Sequence, residues 1–215
     1  MEIQYIAHSS FKLKTGNVTV IIDPFLSDHP NLNLKFPKTE ADIVTISHNH
    51  DDHNAVSSVS GTPFVIHGPG EYEIKGVHIY GYASYHDEKK GEERGENTIY
   101  VIESEGLSLC HLGDLGHLLE NDIVEEIGDI DILFVPTGGV YTVDAAKATD
   151  VVRQLEPKIV IPMHYKNPKT DLDLAPVENF CKEMGVETPE RTDKLKVSGD
   201  KLPEDTKLII LEPAA

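Results

Sequence analysis

The chain has 215 residues, of which 39% are hydrophobic and 26% are charged, as is typical of a folded globular protein. This length predicts a single domain over residues 1–215. The formal net charge of −18 argues against nucleic acid and anionic membranes as partners, because both bind basic surfaces. Two cysteines, no secretory leader at the N-terminus and no apolar run of ~20 residues together predict a cytoplasmic protein.

The first half of the chain is rich in predicted strands, because short β-branched apolar runs alternate with turn residues. A hairpin is predicted over 72–85 with its turn at Gly76, and the charged segment 87–96 after it reads as a solvated loop or hairpin tip. The other strands of this half are predicted at 4–13, with a polar kink, and at 18–22, 41–46, 63–66, 98–103 and 107–112.

The second half alternates helix and strand. Apolar residues at helical spacing predict three helices, and buried apolar runs separate them. The helices are predicted at 118–127, 143–155 and 177–184, and the strands at 130–135, 158–163, 195–197 and 207–211. Two sheets with helices outside them would satisfy both halves of the chain.

The most informative stretch is the sequence His-x-His-x-Asp-His directly after the predicted strand 41–46. In extended backbone the imidazoles of His48 and His50 point the same way, and Asp52 and His53 follow as the chain bends. Imidazole and carboxylate groups together suit zinc and similar divalent ions. One catalytic ion does not take four ligands from so short a segment, whereas two ions ~3.5–4 Å apart would use all four.

Several other predicted strands also end in a residue that can bind metal. In a sheet-based fold such ends can converge on one cleft. The chemistry leaves alternatives open: Asp114 could cap the next helix, and either His86 or His111 could supply the third imidazole of the first ion. The residues at these strand ends are Asp23, His48, His86, Asp114 and His164.

The His-x-His-x-Asp-His motif resembles the signature of the metallo-β-lactamase superfamily. The stretch Ala7-His8-Ser9-Ser10-Phe11 resembles the Gly-His-x-Ser-Phe opening of a branch that includes ascorbate-6-phosphate lactonase, although alanine replaces the glycine. The resemblance covers residues 3–165. It implies an α+β fold, the four-layer αββα sandwich, in which two mixed sheets pack face to face with helices on the outer faces.

The resemblance also implies a ligand set. His48, His50 and His86 would bind one ion, since the order of elements in the superfamily favours His86 over His111. Asp114 and a hydroxide would bridge the two ions, and Asp52 and Asp114 are the candidate catalytic residues. The ligands of the second ion would be Asp52, His53 and His164.

Four further residues are candidates for the surroundings of the ions. Asp23 resembles an aspartate that orients a metal ligand, although a strand-end turn with Pro24 also explains it. His8 would lie near the site or in the core. Arg94 and Asn97 belong to a pattern found in this branch, and Arg94 would either hold a substrate carboxylate or phosphate or remain a solvated loop charge.

The sequence therefore predicts a metal-dependent hydrolase that cleaves an ester, lactone, amide or phosphodiester in a small substrate, which can be an anion. The cofactor would be two divalent ions. Zn²⁺ is the first expectation, and Mn²⁺ or Fe are the alternatives. An iron-dependent oxidoreductase on the same ligands and a non-catalytic metal-binding protein are the alternatives. The sequence leaves the oligomeric state open.

Overall fold

The computed structural model describes residues 1–214, so Ala215, where the predicted domain ends, lies outside the described residues.

Short apolar runs form strands, as expected, and longer segments with helical spacing form helices. Two 3₁₀ turns lie at Val56–Ser58 and Gly199–Lys201. The strands are β1 (Glu2–Ala7), β2 (Ser10–Thr15), β3 (Val18–Ile22), β4 (Thr39–Glu40), β5 (Ile43–Ile46), β6 (Val59–Ser60), β7 (Phe64–His67), β8 (Gly70–Ile74), β9 (Val77–Tyr85), β10 (Glu96–Ser104), β11 (Leu107–His111), β12 (Ile132–Pro136), β13 (Ile159–Met163), β14 (Glu190–Thr192), β15 (Leu195–Lys196) and β16 (Lys207–Leu211). The helices are α1 (Asn121–Ile127), α2 (Ala145–Leu155) and α3 (Val177–Glu183).

The strands form two large sheets and a short ribbon of β4 and β6. One sheet has six strands in the order β15-β1-β2-β3-β5-β7, and the other has eight in the order β14-β16-β13-β12-β11-β10-β9-β8. Both are mixed: β1 to β3 are antiparallel whereas β3, β5 and β7 are parallel. Likewise β8 to β11 are antiparallel and β11, β12, β13 and β16 are parallel. The predicted pair of mixed sheets is confirmed.

The inner faces of the two sheets share one hydrophobic core. Phe11 of the six-stranded sheet packs on Phe134 of the eight-stranded sheet, with ring centroids 4.3 Å apart. The Tyr100 ring is fully buried between the sheets, and its hydroxyl donates to the carbonyl of Ile46 at 2.9 Å. A buried hydroxyl needs such a partner, and this bond ties β10 to the end of β5.

The outer layers of the sandwich differ from each other. All three helices pack on the eight-stranded sheet, where Val151 and Phe180 are buried. The outer face of the six-stranded sheet is covered by the loop 24–38, whose Phe25, Leu32 and Leu34 are buried. The predicted α+β sandwich is confirmed, but within residues 1–214 helices cover only one outer face. Three prolines in the loop prevent a regular helix there, because proline cannot donate to the helical ladder.

The sandwich brings the C-terminal ends of β3, β5, β9, β11 and β13 to one edge, and the residues that follow them form the site described next. None of the helices within residues 1–214 has the length and apolarity needed to cross a membrane.

Candidate metal centre

Asp114, which follows β11, lies at the centre of a buried group of histidines. Its Oδ2 atom is 3.2 Å from Nε2 of His164, 3.3 Å from Nε2 of His86, 3.4 Å from Nε2 of His53 and 4.0 Å from Nε2 of His48. All five side chains are buried. The predicted convergence of strand ends therefore occurs, with residues from both sheets.

The potential ligand atoms include two clusters of imidazoles beside this carboxylate, and a third group joins His48 and His53 to Asp23. In each cluster the nitrogens lie within 4.8 Å of one another. Asp52 lies beside the second cluster, with its Oδ2 atom 3.9 Å from Nε2 of His53 and 3.0 Å from Nε2 of His8. All seven predicted ligands thus come together, and His8 joins them. The first cluster is His48, His50 and His86, and the second is His8, His53 and His164.

Asp23 and Ser47 fix which imidazole nitrogens face Asp114. Asp23 accepts hydrogen bonds from the backbone N–H of Ser47 at 2.8 Å, from its hydroxyl at 2.5 Å and from Nδ1 of His53 at 3.1 Å. Because the Ser47 hydroxyl donates to Asp23, it accepts from Nδ1 of His48, 2.9 Å away. Nδ1 then carries a proton in both histidines, and their Nε2 atoms are directed inward.

These inward nitrogens fit a metal ion. Nε2 of His48 and Nε2 of His53 are buried, and neither has a hydrogen-bond partner among residues 1–214. Buried polar atoms without partners are uncommon in folded proteins. Imidazoles and carboxylates without a thiolate suit Zn²⁺, Mn²⁺ and Fe, so the donor set suits divalent cations.

The pKa values of His48 and His53 are shifted in opposite directions. Burial and the neighbouring His53 lower the pKa of His48 to about 2. Burial also lowers the pKa of His53, but the carboxylates of Asp114, Asp52 and Asp23 outweigh it and raise the pKa to about 10. In the absence of an ion, His53 therefore carries a second proton, on Nε2, at neutral pH, in addition to the proton on Nδ1.

Asn97 and Gly113 hold Asp114 in place. The Asn97 amide oxygen accepts the backbone N–H of Asp114 at 3.0 Å, and its nitrogen donates to the carbonyl of Leu112 at 2.9 Å and to the Ser84 hydroxyl at 2.7 Å. Gly113 has φ +57°, and a Cβ there would lie 2.3 Å from the Asn97 amide oxygen. Only glycine fits this position.

His111 faces away from the clusters. Its Nε2 atom donates to the carbonyl of Ser9 at 2.9 Å, and its Nδ1 atom accepts from the backbone N–H of Gly113 at 3.1 Å. Both nitrogens are therefore used, and the structure places His86 rather than His111 beside His48 and His50. The reason is the pleat, since His111 is the last residue of β11 and points into the core between the sheets.

Three residues around the site adopt left-handed backbone at strand ends: His8 at φ +60°, Asp23 at +45° and His164 at +50°. The backbone N–H of His164 donates to the carbonyl of His8 at 2.8 Å, which joins the two sheets beside the second cluster. Non-glycine residues pay for this conformation, and such strain is concentrated at functional sites.

Arg94 lies apart from the clusters, in a cleft of about 450 Å³ that also reaches His48 and His50. The loop that carries it is organised by Asp87, whose carboxylate accepts the backbone N–H groups of Lys89, Gly91, Glu93 and Arg94. The predicted loop is thus ordered by hydrogen bonds over residues 87–95, and Glu96 already belongs to β10. Sequence reasoning missed Asp87 and Ser47. A single aspartate before a run of turn residues was the available signal for Asp87, and none existed for Ser47.

The chain matches a family model described as the beta-lactamase superfamily domain over residues 2–164. A UPF0173 metal-dependent hydrolase of Thermococcus onnurineus is 30% identical over an alignment 190 residues long, and the alignment covers 77% of this chain and 84% of the relative. A second such hydrolase, from Methanopyrus kandleri, is 26% identical over an alignment 216 positions long, which covers 87% of this chain and 94% of the relative.

Among solved structures, a Thermotoga maritima protein described as a proposed Zn-dependent hydrolase of the metallo-β-lactamase superfamily is 38% identical. It superposes with a TM-score of 0.83 over 99% of this chain and 98% of that one. These matches confirm the predicted superfamily and the predicted class of enzyme, a metal-dependent hydrolase. The chain therefore belongs to the metallo-β-lactamase superfamily and, within it, to the UPF0173 family of metal-dependent hydrolases.

Proposed function

We propose that this protein hydrolyses an ester, lactone, amide or phosphodiester bond of a small molecule at a centre of two divalent ions, with zinc as the first expectation. The observation that supports this is the position of Asp114, whose carboxylate lies beside two clusters of imidazoles. A carboxylate beside two sets of imidazoles fits a hydrolytic site for two divalent ions, which lie ~3.5–4 Å apart in such enzymes.

The residues divide between two ions as follows. His48, His50 and His86 would hold one ion, and Asp52, His53 and His164 the other, with Asp114 shared. When bound, a pair of divalent ions lowers the pKa of water toward ~7 and stabilises negative charge that develops on the substrate.

Side chains of the protein orient the groups that would bind the ions, and one of them can accept a hydrogen bond from the attacking water. Asp23 and Asn97 hold His53 and Asp114 in their observed orientations, and burial of these groups excludes bulk water. Asp52 is different, because its side chain is 20% exposed. Burial raises the pKa of Asp52, but His53 and His8 outweigh it and lower the pKa. Asp52 is therefore an anion at neutral pH and can accept a hydrogen bond from the attacking water.

Replacement of Asp114 by asparagine tests this proposal. In protein loaded with zinc, Asp114→Asn should reduce hydrolysis of 4-nitrophenyl acetate and bis-4-nitrophenyl phosphate by at least about 100-fold, and should reduce the bound zinc measured by elemental analysis. Asp42→Asn is the matched control, since Asp42 pairs with Lys75 away from the clusters. Wild-type rates in folded Asp114→Asn protein would refute the mechanism.

Iron-dependent oxidation is a second candidate, favoured by a donor set of imidazoles and carboxylates that suits iron as well as zinc. Metal analysis of protein purified without added metal, combined with oxygen uptake on the same samples, separates the two functions. The cleft that reaches His48 and His50 argues against a purely structural metal, because structural zinc sites are closed to solvent.

A further inference from the structure

We propose that Arg94 is the specificity residue of this enzyme and that it binds an oxyanion, a carboxylate or phosphate, on the part of the substrate remote from the cleaved bond. This inference rests on the proposed function. It is supported by the presence of Arg94 in the lining of the cleft, by the contacts that fix its guanidinium at Val140 and Tyr141, just outside that lining, and by the hydrogen-bond donors left free on its side chain.

The cleft connects the first metal cluster to Arg94. His48 and His50 line one part of it, and Arg94, Gly95 and Tyr85 line another. Asp52, His53 and His164 do not contribute to its lining. A substrate in this cleft would therefore approach the ions from the side of His48 and His50 while its remainder extended toward Arg94. A volume of about 450 Å³ suits a small metabolite.

Arg94 is anchored from three directions. The Asp87 carboxylate accepts its backbone N–H at 2.7 Å. Its guanidinium donates from Nη2 to the carbonyl of Val140 at 3.1 Å and lies over the ring of Tyr141, with Cζ 5.9 Å from the ring centroid. A solvated loop arginine would not need these contacts, so they support a fixed role for the side chain.

The Val140 contact involves backbone strain. Val140 has φ +60°, a conformation that β-branched residues rarely adopt, and its side chain is 58% exposed. Packing of the Val140 side chain therefore does not account for the strain. The left-handed conformation directs its carbonyl to Arg94, and observed strain of this kind points to a functional site.

Most of the hydrogen-bonding capacity of Arg94 remains available. A guanidinium carries five N–H donors, and the contact to Val140 uses one. No carboxylate forms an ion pair with Arg94 in the part of the chain that the structure describes. The planar fork of the remaining donors matches a carboxylate or phosphate bidentately, so an oxyanion on the substrate would complete the site.

The kinetic experiment compares two esters that share a leaving group. Zinc-loaded wild type and Arg94→Gln protein are assayed with neutral 4-nitrophenyl acetate and with mono-4-nitrophenyl glutarate, which carries a remote carboxylate. Arg94→Gln should lower kcat/KM for the glutarate ester by about 10- to 100-fold, mainly through KM, because a charged hydrogen bond to the substrate is lost. Hydrolysis of the acetate should stay within about twofold.

Lys90→Gln is the matched control, because it removes one positive charge from the same loop at an exposed residue outside the cleft lining. It should leave both esters unchanged. Equal losses on both esters in Arg94→Gln, or no loss on either, would overturn the inference while leaving the hydrolase proposal intact. Absence of hydrolysis in the wild type would instead contradict the proposed function.

A binding measurement tests Arg94 without catalysis. Isothermal titration of glutarate and of inorganic phosphate into zinc-loaded protein gives a Kd for each anion. We expect Arg94→Gln to weaken at least one of them by about tenfold or more, and the anion affected more strongly identifies the source of the oxyanion. Unchanged affinities for both anions would overturn the inference even if neither ester were hydrolysed.

Discussion

Asp23 determines which nitrogen of His53 faces Asp114, because its carboxylate accepts the proton of Nδ1. A carboxylate behind a metal-binding histidine fixes the tautomer and makes the other nitrogen a better donor. Burial raises the pKa of Asp23, but the hydrogen bond from His53 and the charges of His53, His111 and His48 together outweigh it and lower the pKa. The negative charge is therefore retained behind the site throughout the neutral range.

Loss of this charge should weaken metal binding. Asp23→Asn keeps the shape of the side chain but removes the charge, so we expect the affinity for zinc to fall by roughly 10- to 100-fold. Competition with a chromogenic chelator measures the affinity. Asp42→Asn, at the opposite end of the neighbouring strand β5, should change the affinity less than twofold. Equal affinities in Asp23→Asn and wild type would contradict the orienting role.

Asn97 is the residue on which the position of Asp114 depends most. Asn97→Ala leaves the backbone N–H of Asp114 and the carbonyl of Leu112 buried without their partner. We expect it to lower the free energy of unfolding by ~2–4 kcal/mol and to weaken zinc binding. Chemical denaturation and metal titration measure the two effects. Ser84→Ala removes only one partner of the amide and should cost about 1 kcal/mol with zinc affinity unchanged.

At the residue scale, the sequence predicted the chemistry better than the supporting contacts. The His-x-His-x-Asp-His spacing and the strand-end positions of Asp114 and His164 were readable from pattern alone. The pattern alone did not decide between His86 and His111, because that choice depends on which face of β11 meets the other sheet. The link from Asp23 through Ser47 to His48 depends on two strands that are neighbours only in the folded sheet.

At the scale of the element, the loop 87–95 depends on Asp87. Four backbone N–H groups donate to its carboxylate, and although burial opposes them they lower its pKa to about 2. Because the folded pKa is below the ordinary value of 3.8, the stabilisation is present above that value and is lost as the pH falls through about 2.

Asp87→Asn should therefore lower the free energy of unfolding at pH 5, and the difference from wild type should disappear as the pH approaches 2. Urea denaturation at several pH values measures this difference. Asp200→Asn offers a comparison, since Asp200 is also a carboxylate with a lowered pKa but is exposed and lies in a 3₁₀ turn remote from the site. A difference for Asp87→Asn that persisted unchanged at pH 2 would contradict this account.

Close contact between two loops requires a glycine beside His86. A Cβ on Gly116 would lie 2.3 Å from the carbonyl carbon of His86 and from the backbone nitrogen of Asp87. Gly116→Ala should displace His86 and reduce zinc affinity at least tenfold, as measured by titration with zinc, because metal ligands tolerate little displacement. Gly199→Ala is the control, since its Cβ would meet only Gly106 at 3.6 Å. Wild-type affinity in Gly116→Ala would show that the loops can separate without cost to the site.

The elements themselves were largely predictable, because strands with both faces buried read as continuous apolar runs. The exception is the cover of the six-stranded sheet. The loop 24–38 contains prolines and polar residues at irregular spacing, so no period revealed that Phe25 and Leu34 would be buried. These residues are buried because they pack on the outer apolar face of the six-stranded sheet, and that face exists only once the sheet has folded.

At the scale of the whole molecule, an acidic protein with a net charge of −18 concentrates histidines where strands of both sheets end. Without an ion, the negative charge of the carboxylates around His53 is partly balanced by a second proton on this residue, whose pKa is raised from 6.5 to about 10. A metal ion must displace this proton, because only a neutral imidazole is a ligand. Proton and metal therefore compete for the same atom.

This competition predicts that stabilisation by zinc grows with pH. The protonated His53 stabilises the metal-free fold fully below pH 6.5, and this contribution is lost as the pH rises toward 10. The zinc-loaded protein has already released the proton, so it does not lose stability for this reason. The difference in Tm between loaded and metal-free protein should widen from pH 7 to pH 9. Calorimetric titration in buffers of different ionisation enthalpy should detect proton release on zinc binding, and a pH-independent difference without proton release would contradict this account.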